Sequence, residues 1–161
     1  IDAITTSRQF GQGFATSEYL AAAIIDMAWH SLSSEEAAGV SDVRAFEEAA
    51  LQDAGLVVEH LKPRYQSTYF NHIFGGGYSA GYYSYLWAEA LDADGFDWFT
   101  ETGAAGPGAS GEAARAAGQR FRDLVLSRGG ASDYAAAFES LRGRAKDVAP
   151  LLRRRGLGGA L

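Results

Sequence analysis

The sequence predicts an all-α fold of six to eight helices, on three observations. Apolar residues recur at helical spacing in several segments, cap residues and glycines punctuate those segments, and strand-like alternation is scarce. No internal repeat is visible, so the reading is a single α-helical domain over residues 1–161. With 161 residues and 47% hydrophobic composition the chain is long enough to bury a core.

Taken in order, Ser17 is placed to cap a helix that puts Leu20, Ala23, Ile24 and Met27 on one face and ends near Trp29-His30. Ser41 or Asp42 opens the next, with Val43, Phe46, Ala49 and Ala50 inward and Arg44, Glu47 and Glu48 outward. Pro63 interrupts whatever helix carries Leu56 to Leu61, because proline lacks the amide donor and clashes with the preceding turn. Gly75-Gly76-Gly77 breaks the chain before a long apolar and aromatic segment from Tyr78 to about Leu91. A short helix is expected over Phe96 to Thr102, then a loop rich in Gly, Ala and Pro from Gly103 to Gly111. Ala113 to Ser127 reads as a helix burying Phe121, Leu124 and Val125, and Gly129-Gly130 ends it. Ser132 or Asp133 caps a helix through Leu141, and a last helix spans about Val148 to Arg155, with Gly156 as its stop. Arg153-Arg154-Arg155 then reads as a solvated helix end favoured by the dipole.

Charge and composition exclude several classes of function. Against 14 Lys+Arg stand 20 Asp+Glu, and a net charge of -6 leaves no electrostatic footprint for nucleic acid. The absence of cysteine rules out disulfides and thiolate metal sites, and makes the cytoplasm the plain expectation. No apolar run approaches the roughly 20 residues that span a bilayer, so no membrane partner is expected. The start, Ile1-Asp2-Ala3-Ile4, has no signal-peptide pattern and no initiator methionine, as expected of a piece from a longer chain.

The densest set of chemically capable residues runs from His72 through Gly75-Gly76-Gly77 and Tyr78 to Trp87. With a helix starting near Tyr78, the residues Tyr78, Tyr82 and Tyr85 fall at i, i+4 and i+7 and share a face, while Tyr83 points elsewhere. A neutral phenol is a hydroxyl donor on a rigid ring, suited to an oxyanion or a peptide carbonyl. The glycines give a hinge or a cover over a bound chain. An aromatic stripe at this spacing equally fits a core. Polarity pulls the other way, since three buried hydroxyls would need three partners where phenylalanine needs none.

Beyond composition, the stretch Tyr69-Phe70-Asn71-His72-Ile73-Phe74 through Trp87 resembles a signature of the zinc oligopeptidase family that includes thimet oligopeptidase, oligopeptidase A and bacterial peptidyl-dipeptidase. Other matching segments keep the family's order: Phe10 to Leu20, Met27 to Leu32, Phe121-Arg122, Leu126 to Gly130 and Arg155-Gly156-Leu157. The resemblance implies the C-terminal helical part of a zincin-like enzyme that hydrolyses short peptides. It implies that His72, Tyr78 and Tyr85 reach the cleft, with Tyr85 donating to the developing oxyanion, helped by Tyr78, and His72 bonding the substrate backbone or the tetrahedral intermediate. From the residues themselves, Tyr82 and the glycines 75 to 77 are candidate substrate contacts, and Arg64 either meets a peptide carboxylate or solvates a loop. In the family, zinc polarises the carbonyl and activates water while a glutamate acts as base.

Here the sequence departs from the family pattern. The family's H-E-x-x-H zinc motif is absent, since no histidine is followed by glutamate, and His30, His60 and His72 show no local ligand pairing. His30 and His60 therefore read as structural or surface residues. The carboxylates Glu18, Glu59 and Glu89 pair with no nucleophile, no serine sits in a G-x-S-x-G elbow, and the glycine run is not a P-loop. Two functional readings follow. In the first, the chain is the substrate-facing part of a zinc peptidase, inactive alone and dependent on the missing zinc-binding part of the same polypeptide. In the second, it is a stand-alone helical module that binds peptides or a partner protein without catalysis.

Overall fold

A computed structural model describes residues 2–159, and among these residues the fold is helical with no strand. Nine α-helices are present: α1 Asp2–Gln9, α2 Gln12–His30, α3 Ser34–Gly39, α4 Val43–Asp53, α5 Asn71–Gly75, α6 Ser84–Glu101, α7 Gly111–Leu124, α8 Tyr134–Arg142 and α9 Ala149–Arg154. Single 3-10 turns lie at Ser67–Tyr69 and Leu126–Arg128. The count exceeds the expected range because α1, α3 and α5 are short, at 8, 6 and 5 residues. The chain divides into two compact units, Ile1–Leu86 and Trp87–Leu161.

The first unit is organised around α2. This helix starts at Gln12, five residues before Ser17, because Gly11 takes the left-handed conformation (φ 69°) that separates it from α1. Its buried face also differs from the expected one. Leu20 and Met27 are exposed, while Ala21, Ala22, Ala23, Ile25 and Asp26 are buried. Two neighbours explain the broad face: Ala22 and Ala23 pack with Phe70, Ile73 and Tyr82, and Ala21 and Ile25 pack with Leu51. Small side chains let both close in, and full burial of Ile25 contributes about 1.5–3 kcal/mol.

Asp42 is the cap of α4, accepting from the amides of Arg44 at 2.9 Å and Ala45 at 3.1 Å. Glu47, expected outward, is buried, and Ala49, expected inward, is exposed. The inversion has a polar cause: the Glu47 carboxylate accepts the Ser67 amide at 2.5 Å, and Ser67 in turn accepts the Trp29 indole N–H at 2.7 Å. Leu56 to Leu61 forms no helix. The left-handed Gly55 (φ 68°) and His60 (φ 67°) bracket that segment as a loop.

In the second unit, α6 continues unbroken through the segment where a separate helix over 96–102 was expected. Gly95 is tolerated inside it with the Phe138 ring alongside, 3.9 Å from where a Cβ would stand. Trp98, Ala117 and Leu141 form the core, flanked by Phe121, Leu124 and Val125 as the periodicity predicts. Asp133 caps α8 through the amides of Ala135 and Ala136. Asp94 is fully buried and accepts from Arg142 Nε at 2.7 Å, from Arg144 at 2.6 and 2.9 Å, and from the Asp147 amide at 2.9 Å. Burial alone would raise the Asp94 carboxyl, but those guanidinium and amide hydrogen bonds outweigh it and hold the group below its usual range. The basic end of α9 is not merely solvated: Arg153 pairs with Asp97, Arg154 with Asp92 and Arg155 with Glu89. No helix among the described residues is long and apolar enough to cross a membrane.

Candidate functional site

The aromatic segment is not one continuous helix, which corrects the predicted register. Helix α5 stops at Gly75, residues 76 to 83 form a turn-rich loop, and α6 begins only at Ser84. Gly76 is required there, because a Cβ would stand 2.9 Å from the His72 carbonyl oxygen, and Gly77 adopts φ 77°. Ala80 is left-handed at φ 54°, a conformation that alanine reaches only against steric resistance.

Although the helical register fails, the fold still gathers the predicted rings. His72 stacks on Tyr78 with ring centres 4.4 Å apart, and Tyr78 stacks on Tyr85 at 5.3 Å. His72 Nε2 and the Tyr85 hydroxyl are 2.7 Å apart. The direction of that bond follows the imidazole tautomer. With Nε2 protonated, His72 donates to the phenol oxygen, and the Tyr85 O–H is released to donate elsewhere. The neighbouring Tyr78 hydroxyl, followed by burial, pushes the Tyr85 phenol up to about 12, so it remains a proton-bearing donor at neutral pH.

His72 and Tyr85 border a cleft of about 430 Å³, lined with them by Tyr19, Tyr65, Tyr69 and Asn71 over the rings of Phe70 and Tyr82, whereas Tyr78, Arg64 and the glycines 75 to 77 do not line it. That volume is within the range of small-ligand sites. Tyr82 is only 6% exposed; it forms the floor, edge-on to Phe70 at 5.0 Å and to Tyr85 at 5.3 Å. Burial pushes its phenol up, with Arg64 acting in the opposite direction. Arg64 lies over the Tyr19 ring at 4.8 Å and reaches Glu18 at 3.6 Å, so its guanidinium is already partnered at the rim. Tyr83 is exposed, away from the cluster.

Sequence reasoning missed Tyr19, Tyr65, Tyr69 and Asn71 as lining residues; Tyr19, Tyr69 and Asn71 lie in the segments that carry the resemblance, and nothing local marks Tyr65. It also missed Asp26, a fully buried carboxylate whose two oxygens accept the amides of Ala80 at 2.9 Å and Tyr82 at 2.8 Å. His30 Nδ1 lies 2.8 Å from the same carboxylate, which gives His30 a structural place. A lone acid within the apolar run Leu20 to Trp29 was the available signal. His60 is exposed beside Glu59 at 3.3 Å. Among the described residues no three His, Asp or Glu side chains gather to hold a metal ion, so this donor set does not fit zinc.

Comparison with known proteins places these features in context. Residues 1–157 match the profile of peptidase family M3. The chain is 44% identical over 148 residues to dipeptidyl carboxypeptidase of Escherichia coli, covering 92% of this chain and 20% of that protein. It is 44% identical over 88 residues to oligopeptidase A of Haemophilus influenzae, covering 55% of this chain and 12% of the relative. A probable cytosolic oligopeptidase A of Arabidopsis thaliana is 47% identical over 88 residues, again covering 55% of this chain and 12% of the relative. The chain thus spans about a fifth or less of the length of these relatives.

Proposed function

The chain belongs to peptidase family M3, and from that membership we propose that it is the substrate-facing, transition-state-stabilising part of a cytoplasmic zinc metallopeptidase that hydrolyses short peptides. The observation that carries this reading is the His72–Tyr85 hydrogen bond at 2.7 Å, stacked against Tyr78 at the edge of an aromatic cleft. Core packing alone would not require a histidine bonded to a phenol on an open edge.

On this reading the peptide lies in the cleft over Phe70 and Tyr82. His72, protonated on Nε2, orients the Tyr85 oxygen. Tyr85 then directs its own proton at the scissile carbonyl oxygen, where negative charge grows as the carbon becomes tetrahedral. A rigid donor aimed at that position stabilises the transition state more than the ground state. Tyr78 supplies the stacking partner that fixes both rings. Zinc, when bound, supplies Lewis-acid and water-activating chemistry. The donor set among the described residues does not fit it, so the reading assigns the metal to a further part of the polypeptide.

The test is cleavage of a quenched short peptide. The 161-residue chain alone is expected to be inactive with zinc present, and a polypeptide joining it to an H-E-x-x-H-bearing part of the same family is expected to cleave. Zinc-dependent cleavage by the chain alone would overturn the assignment of the metal elsewhere. Peptide binding by the chain, with no cleavage in the joined protein, would favour the stand-alone binding module.

A further inference from the structure

We propose that Asp26 is a positioning residue for the tyrosine cluster: through the amides of Ala80 and Tyr82, its buried carboxylate sets the loop that holds Tyr78 against His72 and delivers Tyr85 at the start of α6. The inference rests on the proposed reading of Tyr78, Tyr85 and His72 as the chemically active set.

The geometry is specific. Asp26 lies on α2, the central helix of the first unit, and is completely shielded from solvent. Each carboxylate oxygen accepts one amide of the loop, at 2.9 and 2.8 Å, and His30 Nδ1 adds a contact at 2.8 Å. The two gripped amides flank Gly81, whose own N–H closes a turn onto the Tyr78 carbonyl at 2.9 Å. The grip therefore fixes the turn that begins at Tyr78. It also fixes the backbone of Tyr82, whose ring packs against Phe70, His72 and Tyr85.

The strain in the loop points the same way. Ala80 is held at φ 54° without the freedom of glycine, and such backbones persist only where the surroundings over-determine them. Ser79 Oγ donates to the Ile73 carbonyl at 2.6 Å and closes the loop from its other side. Without the loop amides the Asp26 side chain would keep only its contact with His30. Asp26 bonds to none of the clustered rings; it acts on them through the main-chain amides of Ala80 and Tyr82.

The test is Asp26→Asn in the 161-residue chain, which keeps the size of the side chain but replaces one acceptor with a donor facing an amide. Proton NMR at neutral pH reads the ring-current shifts that stacking produces in His72, Tyr78 and Tyr85. The expected result is loss of most of the His72 and Tyr78 ring-current shift, while far-UV circular dichroism retains the native helical signal. In a peptidase carrying this chain, turnover should fall by about a hundredfold with KM nearly unchanged, as for a misplacement of about 1 Å. Retention of the stacking shifts in a variant whose Ala80 and Tyr82 amides have lost exchange protection would overturn the proposal. If the variant does not reach the native helical signal, amide exchange in the unaltered chain decides. Protection of Ala80 and Tyr82 comparable to the interior of α2 supports the grip, and surface-like exchange overturns it. Because the NMR readout needs no catalysis, it stands apart from the catalytic reading, which the effect of Tyr85→Phe on turnover decides.

Discussion

Each of the two compact units buries one aspartate completely, Asp26 in the first and Asp94 in the second, and the partners of the two differ in kind. Asp94 is held by the side chains of Arg142 and Arg144, with a single main-chain amide from Asp147. Asp26 is held by two main-chain amides of a loop, with His30 as its side-chain neighbour. Guanidinium partners neutralise a charge and tie helices and loops together within the second unit. Amide partners dictate the path of a backbone. Two buried carboxylates thus serve different ends, a fastening in one unit and the placement of a loop bearing aromatic rings in the other.

The largest effect that separates them is on stability. Asp94→Ala leaves Arg142, whose side chain is 7% exposed, with Glu101 as its remaining ionic partner, and should cost about 3–5 kcal/mol in chemical denaturation. A loss under about 1 kcal/mol would show that the arginines resolvate and that Asp94 is no fastening.

Acid should reveal the same asymmetry. The Asp94 carboxyl lies below its usual range in the folded chain, so its contribution is fully present above the unfolded value of about 4 and disappears as pH falls through the lower folded value. Helix signals from α6 and α8 are expected to weaken in that window. In Asp94→Asn that acid-dependent loss should be smaller, and an unchanged acid profile would assign it to other carboxylates.

A smaller loss is expected at Glu47. Glu47→Ala removes the acceptor of the Ser67 amide and should cost about 1–3 kcal/mol, with faster exchange at Ser67 and little change at Ala80. Equal acceleration at both amides would mean that the two loop anchors of the first unit are not separate. The smallest effect is a helix cap: Asp133→Ala should cost about 1 kcal/mol in the second unit and leave the first unit's exchange pattern unaltered.

What the sequence revealed follows the range of the forces involved. The helix starts at Ser41 or Asp42 and at Ser132 or Asp133 were legible because a cap acts locally, and in each pair the aspartate accepts from amides two and three residues on. The apolar face of α7 was legible because its period is local. The inward turn of Glu47 depends on an amide 20 residues away, and the pairing of Arg153 with Asp97 on a carboxylate 56 residues away. The expected helix at Tyr78 failed for a similar reason. Tyr78, Tyr82 and Tyr85 do have helical spacing, but Asp26, 54 residues before Ala80, holds the loop in a turn. His72, Tyr78 and Tyr85 are gathered by stacking across a loop and not along a helix face.

The most direct test of the central claim is Tyr85→Phe in an active peptidase that contains this chain. The substitution removes one hydroxyl and keeps the ring, its stacking on Tyr78 at 5.3 Å and its edge contact with Tyr82. Turnover on a short peptide should fall about 100- to 1000-fold, as on loss of a single oxyanion donor, with only a small change in KM. Turnover within about twofold of the unaltered enzyme would make Tyr85 a packing residue and contradict the account.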